Sequence, residues 1–175
     1  MAQHVIVVDY NPEWPVMFAA EAGMIRRVLD SNCVAVHHIG STAVPGLAAK
    51  PVIDIMPVVK SLNDVDCLAS EFVKNGYEYL GEFGMAGRRY MRKGGDERTH
   101  QIHIFAEKDT LNITRHLAFR NYMRVNPTVR ETYAALKRSL AKEYPYDIEA
   151  YCDGKAAFVK AYEDEALAAY RATAP

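Results

Sequence analysis

Two apolar segments separated by a loop of small residues constrain the fold of this chain more than any other part of its sequence. Residues 32–39 and 51–59 predict β-strands, and the loop between them begins with Gly40, Ser41 and Thr42. Gly40 permits a tight bend and a close approach of the backbone to a ligand. The hydroxyls and the successive backbone N–H groups can form a nest for an anion such as phosphate. A plain turn would use the same residues.

Asp54 is the one charged residue within residues 51–59. A carboxylate among apolar neighbours costs free energy unless it is hydrogen-bonded or bound to a cation. Strand alternation places Asp54 and Met56 on one face and Ile53 and Ile55 on the other. We therefore predict that Asp54 is a catalytic residue and a ligand of Mg²⁺ or Mn²⁺. The alternative is a structural aspartate bonded to the backbone or to an arginine.

The rest of the sequence predicts further strands and helices. Apolar residues recur at helical spacing over residues 16–29, and Ser61 or Asn63 is a candidate cap for a second helix. Pro127 and Pro145 divide the helical remainder of the chain into three helices. Three more β segments are predicted at residues 77–80, 88–92 and 99–105.

These elements predict an α/β (α+β) fold, with a mixed β-sheet and packed helices, in a single domain over residues 1–175. Residues 1–108 would form the sheet-bearing core, and residues 109–175 a helical part packed on it. Within the loop of small residues, one helical turn is expected at residues 47–49. A chain of 175 residues is long enough to bury one substantial core.

The composition argues against several classes of function. The formal net charge is −1 and the isoelectric point is 6.6, so neither general nucleic-acid binding nor membrane binding is expected. The cysteines lie too far apart for a zinc-thiolate motif or a disulfide framework, which predicts free thiols in a reducing compartment. No apolar run is long enough to span a bilayer. We expect the protein to be cytoplasmic.

Several segments together resemble the GrpB family, which belongs to the nucleotidyltransferase superfamily with its polymerase-β-like fold. They span nearly the whole chain and comprise residues 10–15 (YNPEWP), 38–47 (HIGSTAVPGL), 50–55 (KPVIDI), 100–103 (HQIH), 117–122 (LAFRNY) and 154–158 (GKAAF). The family also occurs as a domain fused to dephospho-CoA kinase. The resemblance implies a nucleotide-binding cleft around Gly40, Ser41 and Asp54 that uses a divalent metal.

One position departs from the superfamily pattern. Nucleotidyltransferases usually carry two acidic residues, one residue apart, on this strand, and here the second is Met56, which cannot bind a hard cation. A third carboxylate commonly comes from a neighbouring strand, and His103 is the candidate for that place, as a metal ligand or general base. His38, next to the loop, is another candidate ligand. Imidazole shifts the metal preference from Mg²⁺ towards Mn²⁺, Zn²⁺ or Ni²⁺, and structural histidines are the alternative.

Five basic residues are candidates for binding phosphate. Lys50 closes the loop, Arg89 and Arg92 lie on opposite faces of one β segment, and Arg120 and Lys155 fall in segments that resemble the family. Arginine can bind a phosphate through two parallel hydrogen bonds. A solvated strand face and salt bridges between helices are the alternatives.

Two functions follow from these features. The first is transfer of a nucleotidyl or phosphoryl group from a nucleoside triphosphate to a small acceptor, with a divalent metal at Asp54 and His103. The second is a non-catalytic module that binds a nucleotide or a phosphorylated metabolite and acts through a protein partner, which Met56 favours. The acceptor, the base preference and the oligomeric state do not follow from the sequence.

Overall fold

A computed structural model describes residues 4–173 of the chain. Its centre is a five-stranded sheet with the strand order β1-β2-β5-β4-β3. The strands are β1 (Cys33–Ile39), β2 (Ile53–Val59), β3 (Tyr77–Tyr79), β4 (Arg88–Lys93) and β5 (His100–Ala106). β2 and β5 are parallel, and the other neighbours are antiparallel. The predicted mixed sheet is confirmed, whereas residues 1–3 and 174–175 of the predicted domain lie outside the described residues.

Six α-helices surround the sheet within the described residues. They are α1 (Trp14–Leu29), α2 (Leu62–Cys67), α3 (Ala69–Lys74), α4 (Thr110–Val125), α5 (Pro127–Glu143) and α6 (Ile148–Thr173). Pro127 opens α5, where a missing N–H costs nothing. The hydroxyl of Ser61 accepts a hydrogen bond from the Asp64 N–H at 3.3 Å and caps α2, as expected from the sequence. None of the helices between residues 4 and 173 is long and apolar enough to cross a bilayer.

The prediction of a helical turn at residues 47–49 is wrong. A single 3₁₀ turn covers Ser41–Ala43 instead, because the Ala43 and Val44 N–H groups bond back to the carbonyls of Gly40 and Ser41. Ala49 is extended, since its N–H and carbonyl exchange hydrogen bonds of 2.9 Å with Val8.

The two faces of the sheet bury different layers. On one face, alternate residues of β2 and β5 pack against α1, α2 and α3. On the other face, Ile39, Met56 and Phe105 pack against Leu117 of α4. Each large apolar side chain that is fully buried contributes about 1.5–3 kcal/mol relative to an exposed one, so both layers hold the sheet in place.

The end of β1 and the starts of β2 and β5 meet at one corner of the sheet. Asp54, the second residue of β2, pairs with Ile39 at the end of β1 and with Gln101 near the start of β5. The chain leaves β1 through Gly40, and α4, α5 and α6 pack beside this corner around Val44 and nearby loop residues. The loop and the strand that carry the candidate site are therefore neighbours in space.

Candidate functional site

Gly40 lies directly against the side chain of Asp54. The φ angle of Gly40 is +70°, and a Cβ at this position would stand 2.6 Å from Oδ2 of Asp54 and 3.1 Å from its Cβ. A residue with a Cβ could not adopt this backbone conformation so close to the carboxylate. The loop backbone and the carboxylate therefore meet in one place only because position 40 is glycine.

The carboxylate of Asp54 faces His103 on the neighbouring strand. Oδ1 of Asp54 is 3.4 Å from Nε2 of His103, and the two side chains are 28% and 15% exposed. Within the described residues, no main-chain N–H and no arginine bonds to this carboxylate. Nδ1 of His103 is buried without a hydrogen-bond partner in the same part of the chain. Because Asp54 is partly exposed and its Oδ2 makes no hydrogen bond within the described residues, the carboxylate is open to a ligand or a cation.

A cavity of about 200 Å³ opens next to Asp54 and Ser41, and we call it the cationic cavity. Asp54 is its one acidic lining residue among those described. Four basic residues line it: Lys50, Arg98, Lys137 and Lys155. A small space with four cations and one carboxylate has a strongly positive potential, which suits a polyanion such as a triphosphate.

Lys137 of α5 is the most buried of these cations. Its side chain is 2% exposed, and Nζ donates a hydrogen bond of 2.9 Å to Oγ of Ser41. Nζ also lies 4.5 Å from the ring centroid of Tyr133. Burial, followed by the charges of Lys155 and Arg138, lowers the pKa of Lys137 to about 7. An anion beside Lys137 would reverse this effect and stabilise the charged ammonium.

Two further lysines are held on the ring of Tyr151, which is 1% exposed. Nζ of Lys50 lies 5.6 Å and Nζ of Lys155 lies 4.5 Å from the ring centroid, within the range of cation–π attraction. Burial and the charge of Lys155 lower the pKa of Lys50. Nε of Arg98 is buried and has no hydrogen-bond partner among the described residues. These groups lack the counter-charge that a bound anion would supply.

The structure does not bring the two predicted arginines of β4 into the cationic cavity. Arg89 forms a salt bridge with Asp66, with Nε 2.5 Å from Oδ1, and Arg92 forms one with Glu78 at 2.5 Å. Both arginines are thus engaged by carboxylates of the surface, which is the alternative that the sequence left open. Arg98, in the loop before β5, takes the place that they were expected to fill.

His38 points away from Asp54, because it pairs with Ile55 on the strand and shares its face. Its ring stacks on Phe18 with centroids 4.7 Å apart, and Nε2 is 3.0 Å from the Thr42 hydroxyl. That hydroxyl donates its proton to the Val52 carbonyl at 3.4 Å. The hydrogen bond with His38 must therefore be donated by Nε2, which then has no lone pair for a metal. Burial lowers the pKa of His38 to about 4. His38 thus supports the loop, and Thr42 lines the cationic cavity with its hydroxyl already engaged.

Arg120 supports the same loop from α4. Its Nη1 donates a hydrogen bond of 3.0 Å to the His38 carbonyl, and its Nε bonds to Asn121 at 3.0 Å. The side chain lines a neighbouring cavity together with Gly40 and Ser41, rather than the cationic cavity.

Met56 is fully buried between the sheet and α4. A carboxylate at this position would be sealed in an apolar layer. Within residues 4–173, no group of three or more His, Cys, Asp or Glu side chains is arranged to hold a metal. Asp54 and His103 therefore supply two donors, and any further metal ligands would have to come from a bound molecule or water.

Lys137 and Arg98 were not predicted from the sequence. The burial of Lys137 could have been predicted, since it belongs to a stripe of α5 residues at helical spacing that includes Tyr133, Ala134 and Leu140. A lysine inside an apolar stripe is rarely there for packing alone. Arg98 follows the glycines at 94 and 95 and carried no such pattern.

Comparisons with known proteins extend over almost the whole chain. The model of the GrpB family, described as GrpB protein, matches residues 4–165. Protein YqkA of Bacillus subtilis is 41% identical over 160 residues, which cover 91% of this chain and 46% of YqkA. The chain thus spans about half the length of that relative. A dephospho-CoA kinase of Mycolicibacterium paratuberculosis is 29% identical over 83% of this chain and 42% of that protein, which confirms the expected fusion.

Solved structures agree with the family model. The crystal structure of the conserved protein GrpB from Enterococcus faecalis has a TM-score of 0.92 at 50% identity and covers 94% of this chain and 99% of that one. The uridylyl transferase Cid1 has a TM-score of 0.52 at 15% identity over 78% of this chain and 43% of Cid1, which shows a shared fold. The chain therefore belongs to the GrpB family and has the fold of the nucleotidyltransferases.

Proposed function

We propose that this protein binds a nucleoside triphosphate and transfers a nucleotidyl or phosphoryl group to a small acceptor, with a divalent metal at Asp54. One observation carries the proposal: the Gly40–Ser41 bend touches the Asp54 carboxylate at the wall of a cavity that four basic side chains line. Phosphoryl chemistry depends mainly on positioning and on charge stabilisation, and this cavity supports both.

Ser41 and Lys137 would hold the phosphates. The Ser41 oxygen accepts the hydrogen bond of Lys137, so the hydroxyl proton is free to be donated to a phosphate oxygen. Lys50, Arg98 and Lys155 would offset the remaining negative charge, which increases on the leaving group during transfer. Each of these cations lacks a salt bridge with a carboxylate within the described residues, so none has to be released first.

Asp54 and His103 fit a metal ion that binds together with the nucleotide. Proteins usually bind Mg²⁺ through one or two carboxylates plus substrate phosphates and water, and a carboxylate beside an imidazole also suits Mn²⁺, Zn²⁺ or Ni²⁺. Oδ1 of Asp54 and Nε2 of His103 would be its protein ligands. When bound, such a metal neutralises charge on the phosphate oxygens. Cid1, which shares the fold, has been crystallised with Mg 3′-dATP and with a UTP analogue.

A second function is favoured by one specific observation. Met56 occupies the place of the second acidic residue and is sealed in the core, which removes one ligand from a two-metal arrangement. The protein would then bind a nucleotide or a phosphorylated metabolite without turnover and act through a protein partner. A cytoplasmic location and the absence of general nucleic-acid binding remain predictions from composition.

Thermal unfolding with ATP, CTP, GTP and UTP, each with and without Mg²⁺ or Mn²⁺, tests the binding shared by both functions. Release of pyrophosphate (nucleotidyl transfer) or of nucleoside diphosphate (phosphoryl transfer) with a panel of small alcohols and amines then separates them. Turnover that is lost in Asp54→Asn and Ser41→Ala supports the transferase, whereas stabilisation without turnover supports the binding module. No response to any nucleotide, with or without metal, contradicts the transferase and the nucleotide-binding form of the module.

A further inference from the structure

A second cavity, of about 230 Å³, lies on the other side of Ser41, and we call it the apolar cavity. Gly40 and Ser41 form part of its wall, and Ser41 also lines the cationic cavity. The rest of the wall is mainly apolar and is formed by Val44, Leu47, Phe119, Met123, Tyr133 and Val159. The two spaces therefore meet at the residue that is proposed to hold the phosphates.

The two arginines at the wall of the apolar cavity, Arg115 and Arg120, both bond to groups of the protein. Arg115 forms a salt bridge with Glu163, and Arg120 bonds to the His38 carbonyl and to Asn121. Within the described residues, Glu163 neutralises the charge of Arg115, whereas Arg120 bonds only to neutral oxygens and keeps its positive charge.

His116 contributes an imidazole ring to the same wall, which also contains the hydroxyls of Ser41 and Tyr133. Its Nδ1 lies 2.7 Å from the Asn112 carbonyl, and since a carbonyl only accepts, Nδ1 carries the proton. In the neutral ring, Nε2 therefore holds a lone pair, and it has no hydrogen-bond partner within the described residues. The backbone bond fixes the ring, so the direction of this lone pair is fixed as well.

We infer that the apolar cavity binds the acceptor, a small alcohol or amine with an apolar body of about one ring, whose hydroxyl or amino group bonds to Nε2 of His116. This inference rests on the proposed function, because it places the acceptor beside the phosphates held at Ser41. The volume is below the roughly 300–1,000 Å³ of pockets for drug-sized molecules, which suits a single ring. A nucleobase fits this wall less well, because its edge presents several donors and acceptors that apolar side chains leave unpaired.

Benzyl alcohol is a suitable probe, titrated into the full chain with the histidine ring signals followed by NMR. The His116 signals are expected to shift saturably in the wild type. Val159→Phe fills the cavity and is expected to weaken binding at least tenfold, and the milder Val159→Leu to weaken it less. Val73→Phe adds the same ring to an exposed position of α3 and serves as the control, with no change expected.

Stabilisation by ATP is measured on the same four proteins. It is expected to persist in Val159→Phe, because the phosphates lie in the cationic cavity. Loss of the ATP response together with benzyl alcohol binding would show that the cavity holds the base, and equal probe binding in all four proteins would show that nothing specific binds there. Either result overturns the inference. A wild type that ignores ATP but binds the probe at His116 defeats the proposed function alone.

Discussion

Nζ of Lys137 donates a hydrogen bond of 2.9 Å to Oγ of Ser41, although the two residues are 96 positions apart in the sequence. The bond joins α5 to the loop that follows β1, and it buries a cation next to the turn against Asp54. A buried ammonium without a carboxylate partner costs free energy. Under the proposed function, an anion joins this pair and offsets the cost.

Replacement of Lys137 by Met is expected to stabilise the ligand-free protein. Burial lowers the pKa of Lys137 to about 7 from a usual value of 10.5, so the unfolded chain binds more protons than the folded one between these two values. The free energy of unfolding of the wild type therefore rises with pH over that range. Lys137→Met should gain about 1–4 kcal/mol in urea unfolding at pH 6. The gain should shrink as the pH rises towards 10, and exposed Lys74→Met is the control.

Stabilisation by sulfate is expected to depend on the charge of Lys137 and therefore to decrease as the pH rises. Because sulfate keeps its charge across this pH range, the change in its binding reports on the protein alone. It should stabilise the wild type more at pH 6 than at pH 9, since Lys137 is charged below about 7. In Lys137→Met this pH dependence should be much smaller, and an identical dependence in both proteins would exclude Lys137 from the anion site.

Gly40→Ala is expected to destabilise the protein more than Gly81→Ala. Both glycines have positive φ angles, +70° and +60°, but a Cβ at position 81 would meet no atom of the described residues within 4 Å. The comparison separates backbone strain from the clash with Asp54. An additional loss of about 1–3 kcal/mol is expected for Gly40→Ala in urea unfolding, with loss of the nucleotide response. Equal losses would show that the contact with Asp54 is unimportant.

Arg98→Met is expected to weaken ATP binding, whereas Arg89→Met is not. Arg98 lines the cationic cavity with a buried Nε that has no partner among the described residues, while Arg89 is bound to Asp66. Loss of one charge-assisted hydrogen bond corresponds to about tenfold or more in affinity. Isothermal titration of both variants checks this, and a stronger effect at Arg89 would restore it as the phosphate ligand.

Asp54→Asn is expected to remove the part of nucleotide binding that depends on metal. The amide keeps the shape of the side chain but loses the charge that binds a hard cation. Mn²⁺ should then add little to the thermal stabilisation by ATP. Asp66→Asn removes a carboxylate from the Arg89 salt bridge and should leave the Mn²⁺ effect intact. Equal Mn²⁺ effects in the wild type and Asp54→Asn would place the metal elsewhere.

The sequence predicted the sheet and the helices well, because alternation and helical spacing are local properties of the chain. It also predicted that Gly40 and Asp54 lie together, and the structure places them side by side, while their role in binding stays a prediction. The order of strands and the face on which each arginine lies depend on contacts between distant residues. For that reason Arg89 was expected in the cleft, although its charge is held by Asp66.

Contacts between distant residues also explain why the role of Lys137 was not predicted. On a helix that is otherwise rich in charge, Lys137 differs from its solvated neighbours only by its place in the apolar stripe with Tyr133, Ala134 and Leu140. Only the packing of α5 on the loop places its ammonium next to Ser41. His38 is close to the loop in sequence, but its ring packs on Phe18 and bonds to Thr42 instead of contacting Asp54.

A crystal structure with Mn²⁺ and a non-hydrolysable nucleoside triphosphate analogue tests the central claim most directly. The claim predicts an anomalous Mn²⁺ signal in contact with Oδ1 of Asp54 and Nε2 of His103, and phosphate oxygens within hydrogen-bond distance of Ser41 and Lys137. A triphosphate bound away from Ser41, or a metal that does not touch Asp54, would contradict it.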